Sequence, residues 1–401
     1  MTIANAIVGQ SGGPTSAINA TLFGVMRACY ENKRVIKTLY GMKNGIEGFL
    51  KEDFVNLFSF FEADAPLDIL KSTPACALGS CRVRLTRDIS DEVYKRVFDI
   101  LEKYDIKYFF YIGGNDSMDT VDCLSTYARL HHSSVQFIGI PKTIDNDLVL
   151  TDFSPGYGSC AKLVGTVTGE LLCDCAIYTQ PSVTILEVMG RDAGWIGLAT
   201  AMAKYNGSGI DLLYIPEVPF SDEKFILDVK NALIAHPNVV VAVCEGIKYE
   251  NGDYVSVASH TDPFGHTYLS GAGNALLRLV REHIGCKSRV VELSLVQRCA
   301  SHLASKFDIQ KSVEIGQRSV EMALDGKGAI MSAFERTGSK FKITSVPVHL
   351  VANKIKYVPR EFFKAEKPFI TEQGIKYLKP LLCSEHYPKY KDGLPTHFII
   401  D

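Results

Sequence analysis

The sequence predicts an α/β fold with mostly parallel sheets covered on both faces by helices. Three observations predict it: strand-like runs that are apolar nearly throughout, helix-like segments between most of them, and unusual residues gathered where strands give way to loops. Nearly all-apolar strands alternating with helices belong to parallel sheets buried on both sides. In such sheets ligands collect outside the carboxyl ends of the strands.

The strands read AIVGQ (6–10), VIKTLY (35–40), KYFFYI (107–112), VQFIGI (135–140), VTILEV (183–188), DLLYI (211–215), VVVAV (239–243) and RVVEL (289–293). Apolar positions recur at helical spacing over 91–104, 117–131, 159–176, 221–235 and 269–284. Beyond about 335 the chain reads as ordered strand, loop and helix pieces rich in lysine and proline.

A chain of 401 residues is long enough for two domains and a large core. Apolar residues at 46% and charged residues at 22% place it among soluble globular proteins. A net charge of −2 gives no electrostatic reason to expect nucleic acid or an anionic membrane as partner. The opening MTIANAIVGQSGG lacks the basic and apolar segments of a signal peptide, and no apolar run approaches the roughly 20 residues of a spanning helix. Eleven cysteines without zinc-finger spacing read as free thiols in a reducing cytosol, so a cytoplasmic location is expected. The CDC at 173–175 falls in a helix-like stretch, which favours core or surface thiols over a metal.

VGQSGGPTSAIN (8–19) runs strand, Gly12-Gly13, helix. Glycines there let backbone N–H groups approach an anion, although a tight structural turn reads the same way. YIGGNDS (111–117) repeats the device and ends in Asn115 and Asp116. These offer hard oxygens to magnesium, or cap the next helix. PKTIDND (141–147) is the sharpest element: Asp145 and Asp147 straddle Asn146 after a buried strand, with Lys142 three residues before Asp145. In an extended loop, residues i and i+2 face one way, which leaves one carboxylate as a base while the other orders metal or water. A merely solvated acidic loop would not explain the lysine and threonine. LEVMGRDAGWIG (186–197) delivers Met189, Gly190 and Arg191 at a strand end, AVCEGI (242–247) delivers Glu245, and SRVVELSLVQR (288–298) delivers Gln297 and Arg298. Asp192 either pairs with Arg191 or caps the following helix, and Trp195 reads as core. Charged residues at successive strand ends point to one shared cleft.

SGGPT, LGSCR, GGNDS, PKTIDND, MGRDAGWIG, CEG and VQR come in the order of the 6-phosphofructokinase family, over roughly residues 4–325, and the chain resembles that family. The resemblance implies two Rossmann-like three-layer domains with the active site in the cleft between them. It implies a phosphoryl-donor domain at 1–155, rejoined by about 299–334, a sugar-phosphate domain at 156–298, and a C-terminal extension at 335–401. Asp145 matches the base that deprotonates the sugar 1-hydroxyl, with Thr143 and Ile144 beside it on the sugar. Met189, Gly190 and Arg191 match the element around fructose 6-phosphate and the transferring phosphoryl group. Glu245 matches a sugar-binding glutamate and Arg298 a sugar-phosphate arginine. Arg289 aligns with an arginine that reaches across from a neighbouring subunit, which implies a homodimer or homotetramer. Gly12 and Arg82 align with donor-site positions, and Asn115 stands where the family has an aspartate that binds magnesium.

ATP-using members resemble GGDGS and PGTIDND, whereas Asp116 and Lys142 resemble the pyrophosphate-dependent branch. An aspartate in place of glycine fills and repels the nucleotide α-phosphate, and Lys142 adds a donor for the phosphates that remain. The resemblance therefore implies reversible transfer from pyrophosphate to fructose 6-phosphate with magnesium, Asp147 lying near the metal. Its rivals are ATP as donor, another sugar phosphate as acceptor, and an inactive sugar-phosphate sensor. The departures are Asn115, Leu295 in place of the family's histidine, and Ser182 in place of an arginine carried by many members.

Overall fold

The eight expected strand runs divide four and four between two sheets. The computed structural model describes residues 3–81, 83–261, 267–364 and 369–400. In the first sheet lie β1 (Ala4–Gln10), β2 (Ile36–Met42), β3 (Phe54–Asn56), β4 (Ile106–Gly113) and β5 (Gln136–Pro141). The second sheet takes β6 (Ser182–Val188), β7 (Leu212–Tyr214) and β8 (Asn238–Cys244). A separate hairpin, β9 (Val257–Thr261) and β10 (Thr267–Ser270), precedes β11 (Lys287–Glu292), the last strand of the second sheet. The chain then returns to the first sheet through β12 (Ile330–Thr337) and β13 (Lys340–Pro347).

The strand order is β13-β12-β5-β4-β1-β2-β3 in one sheet and β11-β6-β8-β7 in the other. All pairings are parallel except β2 with β3 and β12 with β13. The two sheets are the mostly parallel, helix-covered layers that the apolar strand runs predict. A boundary expected at about 335 falls inside β12, and β13 beyond it pairs with β12 along its whole length. β13 is therefore part of the first sheet, although an alternating, lysine-bearing edge strand reads from sequence like a tail.

The first sheet carries apolar side chains to both faces. Ala6, Val8, Phe110 and Ile112 enter one core with the helix Ile18–Glu31. Ile7, Phe109 and Tyr111 enter another with the helices Glu92–Lys103 and Asn115–Leu130. The period-2 alternation of side chains along a strand explains the division. Helices also form at Tyr157–Cys175, Asp222–Ala235 and Ala272–His283, where the helical spacing predicts them. In the first of these Cys173 is exposed and Cys175 buried, so the CDC pair points two ways. Among the described residues no helix is long and apolar enough to cross a membrane.

The returning helix Lys306–Leu324 packs on Ile18–Glu31 at backbone contact. A Cβ on Gly24 would lie 2.2 Å from the Val313 carbonyl oxygen, and one on Gly316 2.3 Å from that of Thr21. Alanine is the better helix former by about 1 kcal/mol, but overpacking against backbone costs typically about 1–3 kcal/mol. Gly316→Ala should therefore lower the unfolding free energy in urea by about 1–2 kcal/mol. A variant as stable as the parent would mean that the crossing is looser than this geometry.

Candidate active site

After β1 the chain runs to one side of the first sheet and after β4 to the other, so a crevice opens between their carboxyl ends. Two glycine turns line it. Gly12 has φ +75°, a conformation glycine adopts without strain. Ser11 and Ser117 hydroxyls bond across the crevice, and the Ser80 hydroxyl donates to the Gly12 carbonyl at 2.7 Å. Lys142, immediately after β5, lies beneath the first turn and is only 2% exposed. Its Nζ donates to the Gly13 carbonyl and stands 3.4 Å from where a Cβ on Gly12 would be. Burial lowers its pKa from the usual lysine value. Arg298 reaches the same turn, its Nη1 3.1 Å from an imagined Cβ on Gly13. Two cations against exposed backbone at a strand-to-helix turn make an anion cradle.

The aspartate loop follows directly. Thr143 Oγ1 accepts from the Asp145 N–H at 3.0 Å, which closes a tight turn, and Ile144 packs in the core. The loop is not extended. Asn146 has φ +53° and is wholly buried, whereas Asp145 and Asp147 on either side are partly open to the cleft. Asparagine tolerates this left-handed conformation, and here both ends of its amide are hydrogen-bonded. Nδ2 donates to Tyr377 Oη at 2.7 Å, and Oδ1 accepts from the Ser154 N–H at 2.9 Å and Lys356 Nζ at 3.3 Å. The extended loop expected to put the two carboxylates on one face is thus replaced by a kink at Asn146. Burial holds Asp145 above the usual carboxylate range, opposed chiefly by the Arg191 charge. Burial and then the Asp145 charge hold Asp147 up as well.

The second sheet contributes from β6 and β8. Met189 follows β6 and donates its N–H to Gln297 Oε1 at 3.1 Å. Gly190 turns the chain at φ +134°. Arg191 then pairs with Asp192 at 3.1 Å and lies close enough to Asp145 to oppose its protonation. Asp192 is therefore a partner of Arg191, and Gly194 is the N-cap of the next helix. Glu245 follows β8, and burial, then the Asp145 charge, pushes it up to about 7. Gln297 and Arg298 do not end β11; they sit on a single 3-10 turn, Ser294–Arg298, after it.

Other expected residues lie apart from this cluster. Asn115 opens the helix Asn115–Leu130 but does not cap it; the N-cap is Gly114. The Asn115 amide instead donates to the Lys354 carbonyl and accepts from the Asn353 N–H, both at 2.6 Å. Asp116 is the second residue of that helix, half-buried in its first turn. Arg289 lies mid-way along the edge strand β11, 3.5 Å from Asp174. Ser182 begins β6, seven residues before Met189 and so about 20 Å from it along an extended strand. Leu295 is 57% exposed on the turn that carries Arg298. Arg82 falls outside the described residues.

Among the described residues no three His, Cys, Asp or Glu side chains form a metal cage. The donor set nonetheless suits magnesium, which takes one or two carboxylates and completes its shell with phosphates and water. Asp147 is such a carboxylate, destabilised in its charged form by burial. The sequence reading missed Lys356, Tyr377 and Glu217, which come from the tail or from a loop and hold the site from behind. Glu217 accepts from the Gly194 N–H at 3.0 Å and the Val358 N–H at 2.9 Å. Its only sequence signal is a position just past the DLLYI strand.

The family model for phosphofructokinase matches residues 5–323. A pyrophosphate–fructose 6-phosphate 1-phosphotransferase of Halomonas elongata is 38% identical over 399 residues, 98% of this chain and 94% of that protein. A protein of the same name from Methylococcus capsulatus is 37% identical over 404 residues, 99% and 96% of the two chains. The crystal structure of a pyrophosphate-dependent phosphofructokinase from Nitrosospira multiformis superposes with a TM-score of 0.89 at 34% identity, covering 99% of this chain and 96% of that one. A cleft built from two parallel sheets, with a buried lysine under one glycine turn and an arginine on another, thus belongs to a chain that is a member of the phosphofructokinase family.

Proposed function

We propose that this protein transfers a phosphoryl group reversibly between pyrophosphate and the 1-hydroxyl of fructose 6-phosphate. The observation that carries the reading is the buried Lys142 ammonium on the Gly12–Gly13 turn, with Asp116 in the first turn of the helix after β4. A cation at the pocket floor suits a short phosphate chain, and a carboxylate at its mouth repels a third phosphate.

The chemistry follows from the geometry. The sugar 1-hydroxyl attacks the terminal phosphorus of pyrophosphate, an O–P bond forms, the bridging P–O bond breaks, and phosphate leaves. Asp145 takes the hydroxyl proton, and its raised pKa brings it nearer to working pH than an exposed aspartate. Lys142 and Arg191 stand on two sides of the loop to neutralise charge on the phosphoryl oxygens. Glu245, near half-protonated at neutral pH, both donates and accepts hydrogen bonds with sugar hydroxyls. Magnesium, with Asn115 and Asp147 near it, would neutralise further charge on pyrophosphate when bound. Met189, Gly190, Thr143, Ile144 and Arg298 border the sugar phosphate in this reading, and Gly12 with Arg82 the donor. Residues 1–155 rejoined by the returning segment carry the donor and 156–298 the acceptor. Arg289 on its exposed edge strand serves a second copy of the chain, in a cytoplasmic homo-oligomer. Transfer to another sugar phosphate is the second reading, favoured by the exposed apolar Leu295 beside Arg298. Assays with fructose 6-phosphate and other sugar phosphates, each with pyrophosphate or ATP, separate these readings.

Asp145→Ala should lower turnover by roughly 10²–10⁴-fold while sugar-phosphate binding is kept. Activity within a few-fold of the parent would remove the base assignment. Asn115→Asp exchanges the amide donor facing Lys354 for a charged oxygen, so half-saturating magnesium should fall. An unchanged titration would mean that Asn115 serves only its bonds to residues 353 and 354. Asp116→Gly should make ATP a measurable donor, and Lys142→Gly should cut activity with pyrophosphate. Both changes act on one pocket, so the double variant should shift donor preference further than either alone. A parent that already uses ATP as well as pyrophosphate would overturn this account of the pocket.

A further inference from the structure

The chain after β13 returns to the cleft, and residues 353–358 cross it from the first sheet's side to the second's. At one end Asn353 and Lys354 bond Asn115, and Asn353 Nδ2 also donates to the buried Asp119 at 2.7 Å. At the other end the Val358 N–H donates to Glu217. Lys356 stands between.

The stem of Lys356 is partly open, but its ammonium turns inward, and burial brings its pKa down to about 7. Nζ has three acceptors: Asn146 Oδ1 at 3.3 Å, the Thr151 carbonyl at 3.1 Å and the Asp152 carbonyl at 3.0 Å. Three donors meeting three acceptors saturate the group. All three acceptors belong to the loop that begins with Asp145 and Asp147. The backbone of Lys356 completes the link. Its N–H donates to the Asp147 carbonyl at 2.7 Å, and its carbonyl accepts from Trp195 Nε1 at 2.8 Å. Trp195 opens the helix that follows the Arg191 turn. Tyr377 reinforces the same loop, its hydroxyl donating to the Asp152 carbonyl at 2.6 Å while it accepts from Asn146.

We infer that Lys356 is a positioning residue for phosphoryl transfer, fixing the loop that carries Asp145 and Asp147 against the turn that carries Arg191. Its three donors are all taken by the loop, and it acts through the loop. The inference rests on the proposed reaction, and it concerns the chemical step rather than binding. A displacement of about 1 Å at a reacting group can cost about 10²-fold in rate.

Lys356→Met keeps the stem and removes the three donors. Its kcat with pyrophosphate and fructose 6-phosphate should fall by about 10²-fold, with both KM values within about threefold of the parent. Tyr377→Phe keeps the packed ring and loses one hydroxyl, so kcat should fall by about tenfold, again without a change in KM. Hydrogen exchange at residues 143–154 should speed up in both variants while the strands keep their protection. A folded Lys356→Met variant with kcat within about twofold of the parent overturns the inference, and so does a loss confined to KM, which would make Lys356 a substrate contact. If Lys356→Met does not fold, Tyr377→Phe decides by the same criteria. A parent inactive with this substrate pair overturns the proposed reaction alone. The exchange measurement then still decides on Lys356, since unchanged protection at 143–154 would show that the lysine does not hold the loop.

Discussion

Three carboxyl groups crowd one half-buried cleft floor, and much of the surrounding structure answers to that crowding. Asp145, Asp147 and Glu245 are each held above the carboxylate range by burial, and the last two by the Asp145 charge as well. Removing a charge from water costs several kcal/mol unless partners offset it. The cations here come one from each direction: Lys142 from beneath the glycine turn, Arg191 from the second sheet, Lys356 from the tail. No one of them forms a close ion pair with Asp145 or Asp147 among the described residues, so the carboxylate oxygens remain available to a ligand.

Much of this was legible in the sequence, for a physical reason. Strands buried on both faces must be apolar throughout, so runs such as FFYI and VVVAV announce themselves, and loops at their carboxyl ends are where polar residues stand out. Asp145, Arg191 and Glu245 were found that way, and the structure brings all three to one cleft. The shape of the aspartate loop was not legible. Whether an Asn between two aspartates takes a pleated or a left-handed conformation depends on what its amide bonds, and Tyr377 lies 231 residues away. The tail was opaque for the same reason. Lys356 sits in NKIKYVP, where it looks like one more surface lysine, and only the fold turns its ammonium inward.

Asn115 shows how one residue type can be read in two ways until its partners are known. Its amide bonds a backbone carbonyl and a backbone N–H at once, which a carboxylate could not do without setting oxygen against oxygen. An aspartate at this position would favour metal at the expense of the link to residues 353 and 354. Asparagine favours the link. A divalent cation at this turn would meet a neutral amide in place of a carboxylate, and would draw more of its oxygen ligands from phosphate.

That exchange gives the crossing segment its place in the architecture. The two sheets meet at a cleft, and beneath it apolar residues of both join one continuous core. Residues 353–358 span it with hydrogen bonds to Asn115 on one side, to Asp147 in the middle and to Trp195 and Glu217 on the other. Those partners lie beyond the carboxyl ends of β4, β5, β6 and β7. A segment that merely covered the surface would not need a desolvated lysine at its centre. The lysine is tolerated there because its three donors replace the water that the loop carbonyls of Thr151 and Asp152 would otherwise require. Satisfying the loop and holding the turn that carries Asp145 are therefore one act, performed by a residue more than two hundred positions from that aspartate.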